Sequence, residues 1–127
     1  TLAQALAAEY LTGGYLDRQL PRIIELYAPR QLAMLDALER HMPEDFTWSH
    51  PEGGMFVMVD VRKTGLSGEA FAHRLLEEEG VVTMPGESFG AGLSGWLRLS
   101  LTQPDDRTRE AANRIDAHAA SILGNAA

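Results

Sequence analysis

The sequence predicts an α/β layer domain: a small mixed or antiparallel sheet of three to four strands packed against helices, preceded by a long bent helix. Three observations carry this. Helical and strand-like patterns alternate in short segments after a long opening helix. Met55 to Val61 form an almost unbroken apolar run rich in valine, the signature of a central strand buried on both faces. Trp96 to Leu101 alternate, with Leu97, Leu99 and Leu101 on one face and Trp96, Arg98 and Ser100 on the other.

Taken in order, Thr1 to Leu11 are alanine-rich and helical, and Gly13-Gly14 end that segment. From Leu16 to about Met42 a helical pattern carries two stripes. Leu16, Leu20, Ile24 and Tyr27 make the first; Leu32, Leu35, Leu38 and Met42 make the second. Pro29 falls between them and predicts a kink or a restart, while Pro21 either opens or bends the first half. A connector between domains and an ordinary core helix fit this pattern equally. Phe46 to Ser49 predict a short strand, Pro51-Glu52-Gly53-Gly54 a turn, and Met55 to Val61 the central strand. Ser67 suits the N-cap of a helix ending at Glu79, with Phe71, Leu75 and Leu76 on its apolar face and Gly80 at its stop. Val81 to Met84 predict another strand. Pro104, Asp105 and Asp106 suit the first turn of a last helix running through Ile115, Ala119 and Ile122 to Gly124.

The chain's 127 residues suffice for one domain with a real core, and 45% apolar content fits a globular protein. A formal charge of −7 argues against nucleic acid or an anionic membrane as partner. No apolar run approaches the ~20 residues of a membrane span, and no secretory signal opens the chain. The absence of cysteine excludes disulfides, thiolate catalysis and cysteine-ligated zinc, and fits a cytoplasmic setting. Thr1 opens within a helical pattern, so the chain reads as a piece of something longer. Its single lysine, Lys63, lies in an apparent exposed turn, Val61-Arg62-Lys63-Thr64-Gly65. That setting does not depress an amine pKa as Schiff-base chemistry requires.

Two motif matches fail on context. Gly86-Glu87-Ser88-Phe89-Gly90 has the G-x-S-x-G form of a nucleophile elbow, followed in hydrolase order by Asp105 or Asp106 and His118. An elbow needs a helix after the turn. Here glycines lead into a strand, and Asp106 would share one helix with His118. Gly90-Ala91-Gly92-Leu93-Ser94-Gly95 reads G-x-G-x-x-G, which likewise must open a helix to receive a pyrophosphate. His41, His50, His73 and His118 show no ligand spacing, so no metal site is expected. Glu77-Glu78-Glu79 read as a solvated helix end.

Arg98 is different. Its guanidinium presents a planar fork of donors that matches a carboxylate bidentately. Mid-strand, among leucines and near Trp96, it needs an anion. Residue type alone favours a structural ion pair with Asp60 or a helix acid. That is the reading of a non-catalytic α/β interaction module.

Four segments in register resemble the C-terminal part of the class I/II aminotransferases, fold-type I enzymes that use pyridoxal 5′-phosphate. They are Pro51-Glu52-Gly53-Gly54-Met55-Phe56, Leu75-Leu76-Glu77-Glu78-Glu79-Gly80-Val81-Val82, Pro85-Gly86-x-x-Phe89-Gly90 and Leu97-Arg98-Leu99-Ser100. Gly14 to Leu20 and Tyr27-Ala28-Pro29-Arg30 resemble the linking helix of the 2-aminoadipate and broad-specificity branch. The resemblance implies residues 1–14 as a remnant of a large domain, 15–45 as the linking helix and 46–127 as the small domain. It implies that Arg98 binds the substrate α-carboxylate and that Phe56 lies near the active site. It further implies amino-acid and 2-oxo-acid substrates, a homodimeric parent, and a Schiff-base lysine and cofactor-binding residues upstream of Thr1. This chain would then hold no catalytic or cofactor-binding residue and be inert alone.

Overall fold

The computed structural model describes residues 1–44 and 46–125. Among these residues are four α-helices and one four-stranded antiparallel sheet, one face of which the helices cover. In chain order these are α1 (Leu2–Thr12), α2 (Tyr15–His41), β1 (Thr47–Trp48), β2 (Phe56–Asp60), α3 (Gly68–Glu79), β3 (Met84–Pro85), β4 (Trp96–Ser100) and α4 (Asp105–Asn125). The sheet order is β1-β2-β4-β3, so the two five-residue strands take the centre. Position 45, the expected end of the linking helix, and residues 126 and 127 lie outside the described residues.

α1 starts on a capping box in which the Thr1 hydroxyl accepts from the Gln4 amide, and it buries none of its residues. α2 is one uninterrupted helix of 27 residues containing both Pro21 and Pro29, so the restart expected at Pro29 does not occur. Both prolines sit on the exposed side. There, the carbonyls they leave without an amide partner face water, which lowers the cost of an interior proline. Only the second half of α2 enters the core, through Ala33, Met34, Ala37 and Leu38. The predicted stripes shift accordingly. Leu32 is exposed, as are Leu16, Leu20 and Ile24. Small residues bring the helix close to its neighbour, and Arg109 of α4 reaches Asp36 of α2 at 3.1 Å.

The central strand departs from expectation in a way that matters. β2 is buried on one face only, through Val57 and Val59, while Phe56 on the other face is exposed. β4 matches it, with Leu97 and Leu99 inward. The outer strands are shorter or shifted. β1 is two residues, extended by the Ser49 amide donating to Met58 at 2.8 Å, and β3 is Met84–Pro85 rather than Val81–Met84. Proline fits there because β3 is an edge. α3 follows its sequence signals closely. Ser67 caps the Ala70 amide, and Gly80 closes the helix at φ 68°. Leu76, however, faces solvent rather than the core, and α4 runs one residue past Gly124.

Candidate functional site

The strand register decides what Arg98 meets. β2 and β4 pair antiparallel with Met58 opposite Arg98 and Phe56 opposite Ser100. Side chains alternate across a strand, so Phe56 lies diagonal to Arg98 on the same face, within reach of a long side chain. The Arg98 guanidinium carbon sits 4.0 Å from the Phe56 ring centroid. A second ring, Phe89, comes from the turn after β3 and stands 4.1 Å from the same carbon. Both rings are partly exposed.

No carboxylate among the described residues reaches Arg98. Asp60, the partner expected for a structural ion pair, is taken by Arg62, whose Nη2 donates to it at 2.6 Å. Hydrogen bonding from Arg62 holds the Asp60 carboxyl below its ordinary value. Arg98 Nε is buried without a hydrogen-bond partner. A half-buried guanidinium packed on two aromatic faces, with its donors unspent, has the chemistry to accept a planar anion.

The segment between β3 and β4 is built to deliver Phe89. It makes two short 3-10 turns, Gly86–Phe89 and Ala91–Leu93, before entering the strand. Gly90 joins them at φ 144°, ψ 152°, a region open to glycine and strained for any other residue. The Glu87 carboxylate accepts from the amides of Gly68 and Gly95 at 2.9 and 3.0 Å and from the Ser94 hydroxyl at 3.1 Å. Burial works against the charged form of Glu87. Hydrogen bonds from its own backbone N–H, Gly95, Gly68 and Ser94 outweigh that, and its pKa lies below the ordinary value.

The remaining candidates are scattered. Ser88 lies in the first 3-10 turn, while His118 is buried on α4, edge-on to Phe71 at 5.1 Å. They form no nucleophile–base pair. The His118 ring lies 3.4 Å from the Glu78 carboxylate, an ion-pair distance only for a protonated ring, and neither ring nitrogen has a hydrogen-bond partner. Lys63 is exposed in the 3-10 turn Arg62–Thr64. The described residues hold no cluster of metal ligands. A cleft of about 400 Å³ lies elsewhere, between α4 and the segment after α3, with Val82, Arg107 and Arg114 among its lining. Arg114 already donates to Glu110 and to the Glu79 carbonyl. Phe89 and Glu87 were not picked out as site residues by the sequence. Their signal was an acid and an aromatic inside a glycine-rich turn just ahead of a strand bearing a lone arginine.

The chain belongs to the aminotransferase class I and II family, whose model matches residues 1–115. It is 40% identical over 118 residues to aromatic-amino-acid aminotransferase 1 of Thermococcus litoralis, covering 91% of this chain and 28% of that protein. The multiple substrate aminotransferase of Thermococcus profundus superposes with a TM-score of 0.83 at 38% identity, over 96% of this chain and 30% of that one. The α-aminoadipate aminotransferase of Thermus thermophilus, solved with N-(5′-phosphopyridoxyl)-L-leucine, gives a TM-score of 0.79 at 34% identity, over 96% and 31%. The chain thus spans about 30% of the relatives it matches. No helix among the described residues is long and apolar enough to cross a membrane.

Proposed function

We propose that this chain is the small-domain part of a pyridoxal-phosphate-dependent aminotransferase and that Arg98 binds the α-carboxylate of its amino-acid and 2-oxo-acid substrates. The observation that carries the reading is Arg98 itself, packed on Phe56 and Phe89 with no carboxylate of its own. An arginine in that state gains a charge-assisted, bidentate partner when a substrate carboxylate arrives. Phe56 and Phe89 limit its rotation and shield one side from water, so the substrate's Cα is held in a defined orientation, a contribution to rate through positioning.

The residues present fit the substrate and not the cofactor. The one lysine, Lys63, lies on an exposed turn after β2, so this chain offers no buried amine for a Schiff base. Pyridoxal phosphate, when bound in the whole enzyme, supplies the electron sink for amino transfer. Its contacts belong to segments that the relatives have and this chain does not span. We assign residues 1–14 to the large-domain side, 15–45 to the linking helix and 46–127 to the small domain, in a homodimeric cytoplasmic enzyme. The fully exposed α1 and the bare Leu16, Leu20 and Ile24 of α2 support this, since such a stripe expects a covering partner.

In the complete enzyme, Arg98→Lys should lower kcat/KM for amino acids by about tenfold or more, because a bidentate charged contact is worth roughly 1.5–3 kcal/mol. A value within about threefold of the parent would remove Arg98 from the carboxylate site. The isolated chain mixed with pyridoxal phosphate should show no cofactor absorbance that survives dialysis and no transaminase activity.

A further inference from the structure

We infer that Glu87 is a positioning residue for substrate binding: its carboxylate fixes the turn that lays Phe89 on Arg98. The inference rests on the reading of Arg98 as the carboxylate site. Three donors from two segments meet at one carboxylate oxygen. Gly68 opens α3, while Ser94 and Gly95 end the connection into β4, and all three donate to Glu87 Oε1. Glu87 itself belongs to the 3-10 turn that carries Phe89, and the Gly90 amide donates back to the Glu87 carbonyl at 3.3 Å. The entry and exit of the 86–95 segment are thereby tied to each other and to the first turn of α3.

Phe89 has no comparable anchor of its own. It is 45% exposed and lies outside the core, so what holds its ring over Arg98 is the backbone that Glu87 fixes. The fold makes room for this arrangement. A Cβ at position 68 would stand 2.3 Å from the Trp96 carbonyl oxygen and 2.6 Å from Glu87 Oε2, so glycine there admits both the end of the 86–95 segment and the carboxylate. The amides at the start of α3 favour an anion, and the three donors on Oε1 are held more firmly by the negative charge of a carboxylate oxygen than they would be by a neutral amide oxygen.

The test uses the complete, cofactor-loaded enzyme with E87Q, S94A, F89L, E87Q/F89L and R98K. The readouts are steady-state kinetics, the inhibition constant of 3-phenylpropionate (a carboxylate without an amino group) and hydrogen exchange at the Gly95 amide. E87Q should speed Gly95 exchange, raise the inhibition constant about tenfold and act on KM more than on kcat. S94A, which removes one exposed donor, should move the same quantities by about two- to threefold and carries the test if E87Q folds poorly. E87Q/F89L should be no worse than F89L, because both act through the same ring. Faster Gly95 exchange in E87Q with the inhibition constant unchanged, while R98K weakens inhibition, would overturn the role of Glu87 and leave Arg98 standing. Additive losses in the double variant would overturn it as well. R98K with unchanged inhibition would remove the carboxylate site and this inference together.

Discussion

Arg98 is held by faces rather than by charges. The rings of Phe56 and Phe89 attract the guanidinium without neutralising it, so its charge stays available to an anion. Replacing Phe56 by leucine keeps an apolar neighbour and removes the ring quadrupole. At a partly exposed site that is worth about 0.5–1 kcal/mol, so Phe56→Leu should raise KM for amino acids about two- to fivefold in the complete enzyme, as steady-state kinetics would show. At this scale the sequence was informative where chemistry is local to a strand. The alternation of Trp96 to Leu101 put a lone arginine opposite the leucine face, and the structure keeps it there. It was silent on Phe89 because that contact is made across a turn whose path depends on Gly90 and on a carboxylate bound to a distant helix. The supposed pairing with Asp60 failed for a related reason. Asp60 finds Arg62 two residues away, a nearer and less costly partner.

Among the elements, the helices were legible and the strands only partly so. α3 begins and ends where Ser67 and Gly80 said it would, because caps act within a few residues. Ser67→Ala should therefore cost about 1 kcal/mol, seen as a lower urea midpoint with an unchanged m-value. Strand limits depend on partners far along the chain. β3 slides to Met84–Pro85 because Leu97 and Arg98 offer the ladder there, and nothing in the composition of Val81 to Met84 records that. The valine-rich run of β2 suggested burial on both faces. It is buried on one, because the helices cover only the side carrying Val57 and Val59. Pro29 predicts a kink or a restart, and the helix does not restart: tertiary packing of its second half and solvent on its proline-bearing side outweigh local propensity.

Across the whole molecule, ionised carboxylates tie elements together, and this gives stability a pH dependence of definite sign. Hydrogen bonds from Arg40 and Arg109 hold Asp36 below its ordinary 3.8, and one from Arg62 does the same for Asp60. Glu87, despite burial that opposes its charge, is held below 4.5 by the donors gathered on it. For each, the unfolded chain binds the proton first as pH falls. The stabilisation is thus complete above the ordinary carboxylate values and disappears as pH drops through the lowered ones. Asp116, whose pKa burial raises, works in the opposite direction. Three lowered groups against one raised group predict a net loss. The urea midpoint should hold between pH 7 and 5, then fall steadily below about pH 4.5. A midpoint that rose on acidification would contradict the ion pairs and hydrogen bonds described.

The pairing of β2 with β4 has one last consequence. Leu97 and Leu99 belong to the core, and Arg98 between them belongs to the opposite face, so a single residue gained or lost between Gly95 and Arg98 exchanges the two sets. Such a frame slip would drive a guanidinium among Val57, Val59 and Phe71 while turning leucines outward. Substitutions can erode the site and spare the domain. Insertions and deletions in this strand cannot, because the register that buries Leu97 and Leu99 is also the one that turns position 98 to the opposite face.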